Sequence, residues 1–475
     1  EAQAVFAQLS VFPASFARAA ATAVVDGAAP GALDTTLSLL HRLCLLDYDP
    51  ARERFDQHDL LRCYGLAQLA DVDAVRERYG SYAIGMVAQA AAQLQQSGDA
   101  ALAGLDLFDA ERAHIDASWR WAADGTQGER SDQLLLAFLE AIGYLHVVRF
   151  VGQRDFVAVL EATRAAAVRE GRRDLEQVAL TDLGWAYAYL DQPEAAVAAY
   201  TEARAIARER ADLGGEVLIL TNLANIAHGA SNATGALVHA EAAVTLARRA
   251  DQPQMLVQAL LTRGWILVTL RQLNVAHVAY REARSVARAL GDARLEAHVL
   301  MQLGDATLGM GDRGQATHHS RAALRIAERI GDWHTRIYAT KTLGDIAYVS
   351  RAPRDAIGQY EQALATSRAV GEAVSEATLL RDLGDAYHAL HDLDRAAASY
   401  EAAAVVCEGL GDERGRAVNC WNQGRVLVEQ GEVARGVALM QERVDLERRL
   451  GHPDADKHAA EIAKIQARQN GATGR

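Results

Sequence analysis

The residues best equipped for chemistry in this 475-residue sequence fall into a few patterns. Gly309-Met310-Gly311-Asp312-Arg313-Gly314 has the spacing of a glycine-rich dinucleotide loop. That loop works only between a strand and a helix N-terminus, where backbone N–H groups meet a pyrophosphate. Here it falls in a turn between helical stretches, so no dinucleotide site is expected. His318-His319 and His388-Ala389-Leu390-His391 offer imidazole donors, with no carboxylate or thiol at metal-ligand spacing. Cys44, Cys63, Cys407 and Cys420 form no CxxC pair and read as buried, reduced thiols of a cytoplasmic protein. No GxxxxGK(S/T), HExxH or GxSxG occurs, so nothing in these residues points to an enzyme. Charged and aromatic residues recur instead at a fixed interval. Asp305, Asp345 and Asp385 lie 40 apart, with Lys341 and Arg381 four residues before the last two. Such (i, i+4) pairs brace a helix by a few tenths of a kcal/mol each, whether or not they also meet a ligand (about 0.2–0.5).

Composition narrows the classes. Half of the residues are hydrophobic and 23% are charged, enough apolar content for a packed core. Alanine makes up about a fifth of the chain and proline only 7 residues, which favours helix. The net charge of −13 argues against a general nucleic-acid binder. No uncharged apolar run is long enough to span a membrane, and no basic leader opens the chain.

The interval of 40 organises most of the sequence. Leu303-Gly304-Asp305 returns at Leu343-Gly344-Asp345 and Leu383-Gly384-Asp385. The same ruler passes through Gly184, Ala224, Gly264, Gly304, Gly344, Gly384 and Gly424. Twelve residues on lie Ala196, Ala236, Ala276, Ala316, Ala356, Ala396 and Gly436. Sixteen on lie Tyr200, Tyr280, Tyr360 and Tyr400, with Ala240, Ser320 and Met440 in the other units. Each unit reads as two helices. Apolar residues of the first recur at helical spacing, as in Leu295, Val299, Leu303 and Leu308. Breaks such as Asp191-Gln192-Pro193 and Ala352-Pro353 separate the pair. The second helix stops at Gly291, Gly331, Gly371, Gly411 or Gly451, and Asp292, Asp332 and Asp412 can cap the next helix. The small columns mark where paired helices approach too closely for a larger side chain.

These columns resemble the tetratricopeptide repeat, lengthened from 34 to 40 residues. The resemblance implies an all-α fold, a right-handed α-solenoid. It also implies that the first helix of each unit lines a concave face. Residues three before and one after the small column then point into a groove. Its N-terminal part is neutral and aromatic, with Trp185, Asn225 and Trp265. Its C-terminal part is charged, with Asp305, Lys341, Asp345, Arg381, Asp385 and Arg425 beside Trp421. Trp and Arg are enriched at binding hot spots, and a protein or peptide effector is the expected occupant. The tryptophans could equally pack against the next helix.

The first seventy residues lack the repeat. Apolar segments 2–12, 15–25 and 35–46 look helical, a hairpin is expected around Asp49-Pro50-Ala51-Arg52, and a helix spans 59–70. Leu9-Ser10-Val11-Phe12-Pro13, Leu39-Leu40-His41-Arg42-Leu43 and His58-Asp59-Leu60-Leu61-Arg62-Cys63-Tyr64 resemble the winged-helix end of an NB-ARC module, found in STAND signalling ATPases. The stretch Phe108 to Ala122 resembles the helix that joins such a module to its repeats. The resemblance implies that His58 and Asp59 sit beside the phosphates of ADP or ATP bound by an upstream module. The family motif usually begins with Met where this chain has Gln57. His58 could alternatively just hydrogen-bond at the end of the hairpin. Residues 1–70 hold five Arg and no Lys against eight acidic residues, so no direct DNA contact is expected. The first residue is Glu1, consistent with a preceding segment.

The expected organisation is a winged-helix domain over 1–70, linker helices over 71–131, a degenerate repeat over 132–173, seven repeats over 174–453, and a capping helix and tail over 454–475. The expected function is the sensor half of a STAND transcriptional regulator. A stand-alone scaffold for proteins or signal peptides is the alternative.

Overall fold

The computed structural model describes all residues except 1, 28–30, 97–98, 125–127, 144, 151–153, 231, 451, 453 and 474–475. The described chain forms two compact units, one of residues 1–150 with 154–183, the other from Gly184 onward. Gly451, expected at a helix end, lies outside the described residues.

The first unit opens with α1 (Ala2–Leu9), β1 (Phe16–Ala17), α2 (Arg18–Val24), α3 (Ala32–Arg42), β2 (Asp47–Asp49), β3 (Arg54–Asp56) and α4 (Asp59–Leu66). The expected hairpin is β2 paired antiparallel with β3, Tyr48 opposite Phe55. The two-residue strand β1 was not anticipated. It adds to the other edge of β3, giving the order β1-β3-β2. The helix expected to reach residue 46 ends at Arg42, and Cys44 takes a left-handed φ of 56° that turns the chain toward the hairpin; Cys44 and Cys63 are exposed, and only Cys407 and Cys420 are buried as expected. Phe6, Leu9, Phe12, Phe16, Leu37, Leu40 and Phe55 form the core, with Phe12 and Phe16 stacked at 4.4 Å.

Helices α5 (Val72–Leu94), α6 (Asp99–Ala123), α7 (Glu129–Ile142), α8 (Leu145–Arg149) and α9 (Arg154–Arg169) come next. On α6, Phe108, Glu111, His114, Ile115, Ser118, Trp119 and Ala122 are buried, the (i, i+3/i+4) stripe of a core helix. Glu111 accepts from Arg54 Nη1 of β3 at 2.5 Å, and Arg54 also donates to the Ser15 carbonyl. His114 lies in the same cluster, within 3.2 Å of the Tyr79 hydroxyl. Burial lowers the pKa of His114 and so keeps the ring neutral. A half-buried arginine and a buried glutamate are tolerable as such a pair with further hydrogen bonds.

The repeats run through α10 (Arg173–Tyr189), α11 (Pro193–Glu209), α12 (Leu213–Gly229), α13 (Ala233–Arg249), α14 (Pro253–Thr269), α15 (Leu273–Ala289), α16 (Ala293–Gly309) and α17 (Arg313–Ile330). They continue as α18 (Trp333–Val349), α19 (Pro353–Val370), α20 (Ala373–Ala389), α21 (Leu393–Gly409), α22 (Glu413–Glu429) and α23 (Val433–Arg449), before the terminal α24 (Ala455–Thr473). The fold is an α-solenoid of 40-residue tetratricopeptide-type repeats. Its punctuation obeys local chemistry. Gly331 and Gly371 close α17 and α19 with φ of 67° and 68°. The side chains of Asp292, Asp332 and Asp412 accept from Leu295 N, Thr335 N and Gly415 N at the next helix starts.

The small and aromatic columns meet across each helix pair. A methyl group on Gly264 would lie 2.3 Å from the Tyr280 ring, and one on Gly344 or Gly384 would lie 2.5 or 2.7 Å from Tyr360 or Tyr400. Where serine replaces tyrosine, a methyl on Gly304 would meet the Ser320 hydroxyl at 2.5 Å. At Gly424 the obstacle is the Gly436 carbonyl, also at 2.5 Å. Gly358, on α19, has open space where a side chain would go.

Two glycines in one repeat should therefore respond with opposite sign. Gly344→Ala is expected to destabilise by about 1–3 kcal/mol, because the buried Tyr360 ring must shift. Gly358→Ala should stabilise by up to about 1 kcal/mol through helix propensity alone. Urea melts of both variants check this; a shift in the same direction for both would refute the close approach.

Candidate functional site

The charged half of the inner face is built on the glycine–tyrosine contact. Tyr360, seated on Gly344, donates its hydroxyl to Asp345 Oδ1 at 2.7 Å, and Tyr400, seated on Gly384, donates to Asp385 Oδ1 at 2.5 Å. In the unit with Ser320, no tyrosine reaches Asp305, and Thr342 of the next repeat donates to it at 2.5 Å. Lys341 Nζ donates to Asp345 at 2.8 Å and lies 3.2 Å from Asp382 Oδ2. Arg381 pairs with the adjacent Asp382 at 3.1 Å. The (i, i+4) pairing expected for Lys341 and Asp345 is present. That of Arg381 with Asp385 is not, because Tyr400 already holds Asp385 and Asp382 offers a nearer carboxylate.

Asp382 is the residue that sequence reading missed. It is buried and binds back to Lys341 of the preceding repeat, as Thr342 binds back to Asp305. The signal was the position two before the small column, where both residues stand and where neither a core nor a groove role was sought.

Charges in this cluster are unevenly settled. Burial works against the ammonium of Lys341, but Asp345 and Asp382 more than offset it and hold its pKa above the usual lysine value. Asp305 keeps exposed surface, yet the protein crowded around it pushes its carboxyl up to about 6, and Asp345 adds to this, while the Thr342 hydroxyl and Lys341 oppose it. Asp385 is likewise raised by burial, against the Tyr400 hydroxyl bond.

At the aromatic end, Trp185 packs on Tyr189 with ring centres 4.6 Å apart. Trp265 is 37% exposed and lies against His228 at 4.1 Å. Asn225 and Arg425 are exposed. Trp421 does not face the groove. It is 4% exposed, packed with Met440, Val444 and Ile462 and against the His458 ring at 4.7 Å, so α24 covers it. A terminal helix must bury the last open face of a solenoid, and here the tryptophan is what it buries.

The unit curls until distant repeats meet. Arg414 Nε at the start of α22 lies 3.4 Å from Asp191 Oδ2, in the turn after α10. Tyr189 stands close enough to Tyr338 and Glu372 for both to raise its pKa, after burial.

In the first unit, His58 Nδ1 accepts from Leu60 N at 3.3 Å and so caps α4. Asp59 pairs with Arg62 at 2.6 Å and is largely exposed. Leu60 and Tyr64, one helical turn apart on α4, are 75% and 58% exposed. Gln57 is buried, and neither amide atom has a hydrogen-bond partner among the described residues. On α3, His41 Nδ1 lies 3.0 Å from the Leu46 carbonyl and Arg42 is exposed.

No family model and no curated protein matches this chain. Solved structures do. A STAND protein with a tetratricopeptide repeat sensor from Pyrococcus horikoshii is 14% identical with a TM-score of 0.48; the match covers 98% of this chain. The chain spans 65% of that protein's length. A Rap protein complexed with competence and sporulation factor is 12% identical with a TM-score of 0.51, covering 79% of this chain and 99% of its own. A Rap conjugation gene regulator of plasmid pLS20, in complex with the Phr* peptide, is 15% identical with a TM-score of 0.45, covering 70% of this chain and 96% of its own. At these identities the likeness is one of fold.

Two measurements probe these environments. A carboxyl whose pKa is raised by folding binds its proton more tightly in the fold. Asp305 therefore contributes its stability in full below the unfolded value of about 4 and loses it as pH rises through about 6. Asp305→Asn should match the wild type near the low end of that window. It should melt higher than the wild type above it, and a gap that stays constant with pH would count against the raised pKa. Gln57→Met keeps the side-chain volume and removes an unpaired buried amide. It should stabilise the protein by about 1 kcal/mol in urea melts, since such groups cost about 1–3 kcal/mol; a loss of stability would show that the amide is paired.

Proposed function

We propose that this chain is the sensor half of a STAND-type regulator, in which the solenoid captures a protein or peptide effector and residues 1–70 act as a winged helix against an upstream nucleotide-binding module. The observation that carries the reading is the inner face itself. Its column carries the exposed Trp265, Asn225 and Arg425 in register with Asp345 and Asp385, in a region where carboxylates are tied to Lys341 and Arg381. The Rap protein of similar fold was solved in complex with competence and sporulation factor, which supports an effector as the occupant of such a solenoid.

The winged-helix part of the proposal rests on the His58-Asp59-Leu60 motif and on the order helix, strand, two helices, hairpin. Leu60 and Tyr64 leave apolar surface uncovered on the helix that His58 caps, which suits a domain contact better than a DNA groove. α3 brings one exposed arginine outward, Arg42, too little for phosphate and base contacts. His58 would then report on ADP or ATP held by the neighbouring module, and the output would be control of transcription in the cytoplasm.

The intact protein tests this directly. Purified whole, it should retain ADP, and His58→Ala should release a fluorescent ADP analogue about tenfold faster, the loss of one charge-assisted contact. Native mass spectrometry should find a bound peptide that Trp265→Ala or Arg425→Ala loses. An intact protein that holds no nucleotide overturns the STAND assignment and leaves the stand-alone scaffold; one that carries no peptide and binds none overturns the sensor assignment.

A further inference from the structure

Where the solenoid curls back on itself, the seam borders a half-open cavity of about 430 Å³. That lies within the roughly 300–1,000 Å³ of small-molecule pockets. All of it belongs to the second unit. Tyr189, Val374, Leu410 and Val418 supply apolar walls. Asp191, Arg414 and Arg381 supply charge. Asp191 and Arg414 line a second cavity of about 320 Å³ as well, so their ion pair divides the two spaces.

The charged groups are not saturated. The Arg414–Asp191 pair is long at 3.4 Å, and its side chains are 56% and 49% exposed. Arg381 meets Asp382 through one nitrogen at 3.1 Å and is 39% exposed. The other carboxylates on the rim are engaged: Asp412 caps α22 through Gly415 N, and Glu413 pairs with Arg449 at 3.2 Å. Asn419, 3% exposed on the cavity wall, gives its amide hydrogens to the Gly415 carbonyl and Cys407 Sγ, and its Oδ1 has no partner among the described residues. With Asp382 neutralising Arg381 and Arg449 neutralising Glu413, the charges left in the lining are the Asp191–Arg414 pair and the capping carboxylate of Asp412. A simple anion would crowd Asp191, and a simple cation would crowd Arg414. A net-neutral molecule with both charges satisfies both sides at once.

We propose that this seam binds a small dipolar ligand carrying an ammonium and a carboxylate, a free amino acid or a dipeptide, and that the bound ligand holds the curled solenoid closed. The ammonium lies against Asp191, the carboxylate between Arg414 and Arg381, and an apolar side chain against Val374 and Val418. The ligand touches residues from both ends of the curl, so it stabilises the closed form by mass action. The site shares Arg381 with the inner face proposed above, and Asn225 lines the adjoining cavity, but Trp265 and Arg425 take no part in it.

The test is a thermal-shift and calorimetric screen of the full chain against the twenty L-amino acids and a set of glycyl dipeptides. At least one is expected to bind saturably and raise Tm. Asp191→Asn and Arg414→Gln, both at exposed positions, should each weaken that binding about tenfold with circular dichroism unchanged. Which arm responds separates the free amino acid from the dipeptide. The N-acetyl and methyl-ester forms of the responding compound should fail to bind. A screen with no responder overturns the proposal, as does binding that survives both substitutions. Binding by the N-acetyl form would make the seam a plain carboxylate site and overturn the dipolar assignment. Trp265→Ala should leave the response intact; this variant separates failure here from failure of the effector reading.

Discussion

A glycine pressed against a tyrosine ring sets the geometry of every regular repeat in this protein. At Gly264, Gly344 and Gly384, not even a methyl group fits between the two helices of a pair. The tyrosine is buried and its ring cannot swing away, so the helices are held at one distance and one rotation. A solenoid adds such rotations from repeat to repeat. A small error in one pair would be propagated along the whole curl.

The same contact also places the chemistry. A tyrosine lying flat over the glycine has its hydroxyl beside the residue just after the glycine, and there Asp345 and Asp385 stand. The carboxylates that look most available in the sequence are thus half committed to the architecture. Repeats lacking one partner show the dependence. Trp265 stands where an aspartate would take the Tyr280 hydroxyl, and that hydroxyl has no partner among the described residues. Asp305 faces a serine instead of a tyrosine and turns to Thr342 of the next repeat. Between-repeat links of this kind carry charge without leaving it unpaired, as enclosure requires.

Much of this could be read in advance. The 40-residue interval, the capping aspartates and the closing glycines are local signals, and helices began and ended where those residues stand. The inner face was legible only in part, because a column position fixes where a side chain starts, not what it meets. Trp421 shares its column with Lys341 and Arg381, yet it belongs to the core, since the repeats end there and α24 must cover something. Asp382 was invisible because its partner lies 41 residues back in the chain, on a neighbouring repeat. The meeting of Asp191 with Arg414 lies further still beyond any local pattern. It depends on the summed curvature of all the repeats between them.

That summed curvature has an energetic consequence. Each helix pair is stiff, but the curl closes through an ion pair that is half exposed on both sides. Exposed pairs of this kind contribute about 0–1 kcal/mol, comparable with thermal energy. Opening the seam loses little there, and the bending is shared among several interfaces, so no single core must break. Rigid repeats joined by so weak a latch leave closure of the seam to whatever touches both ends of the curl, as the proposed ligand would, and even modest binding there would shift it.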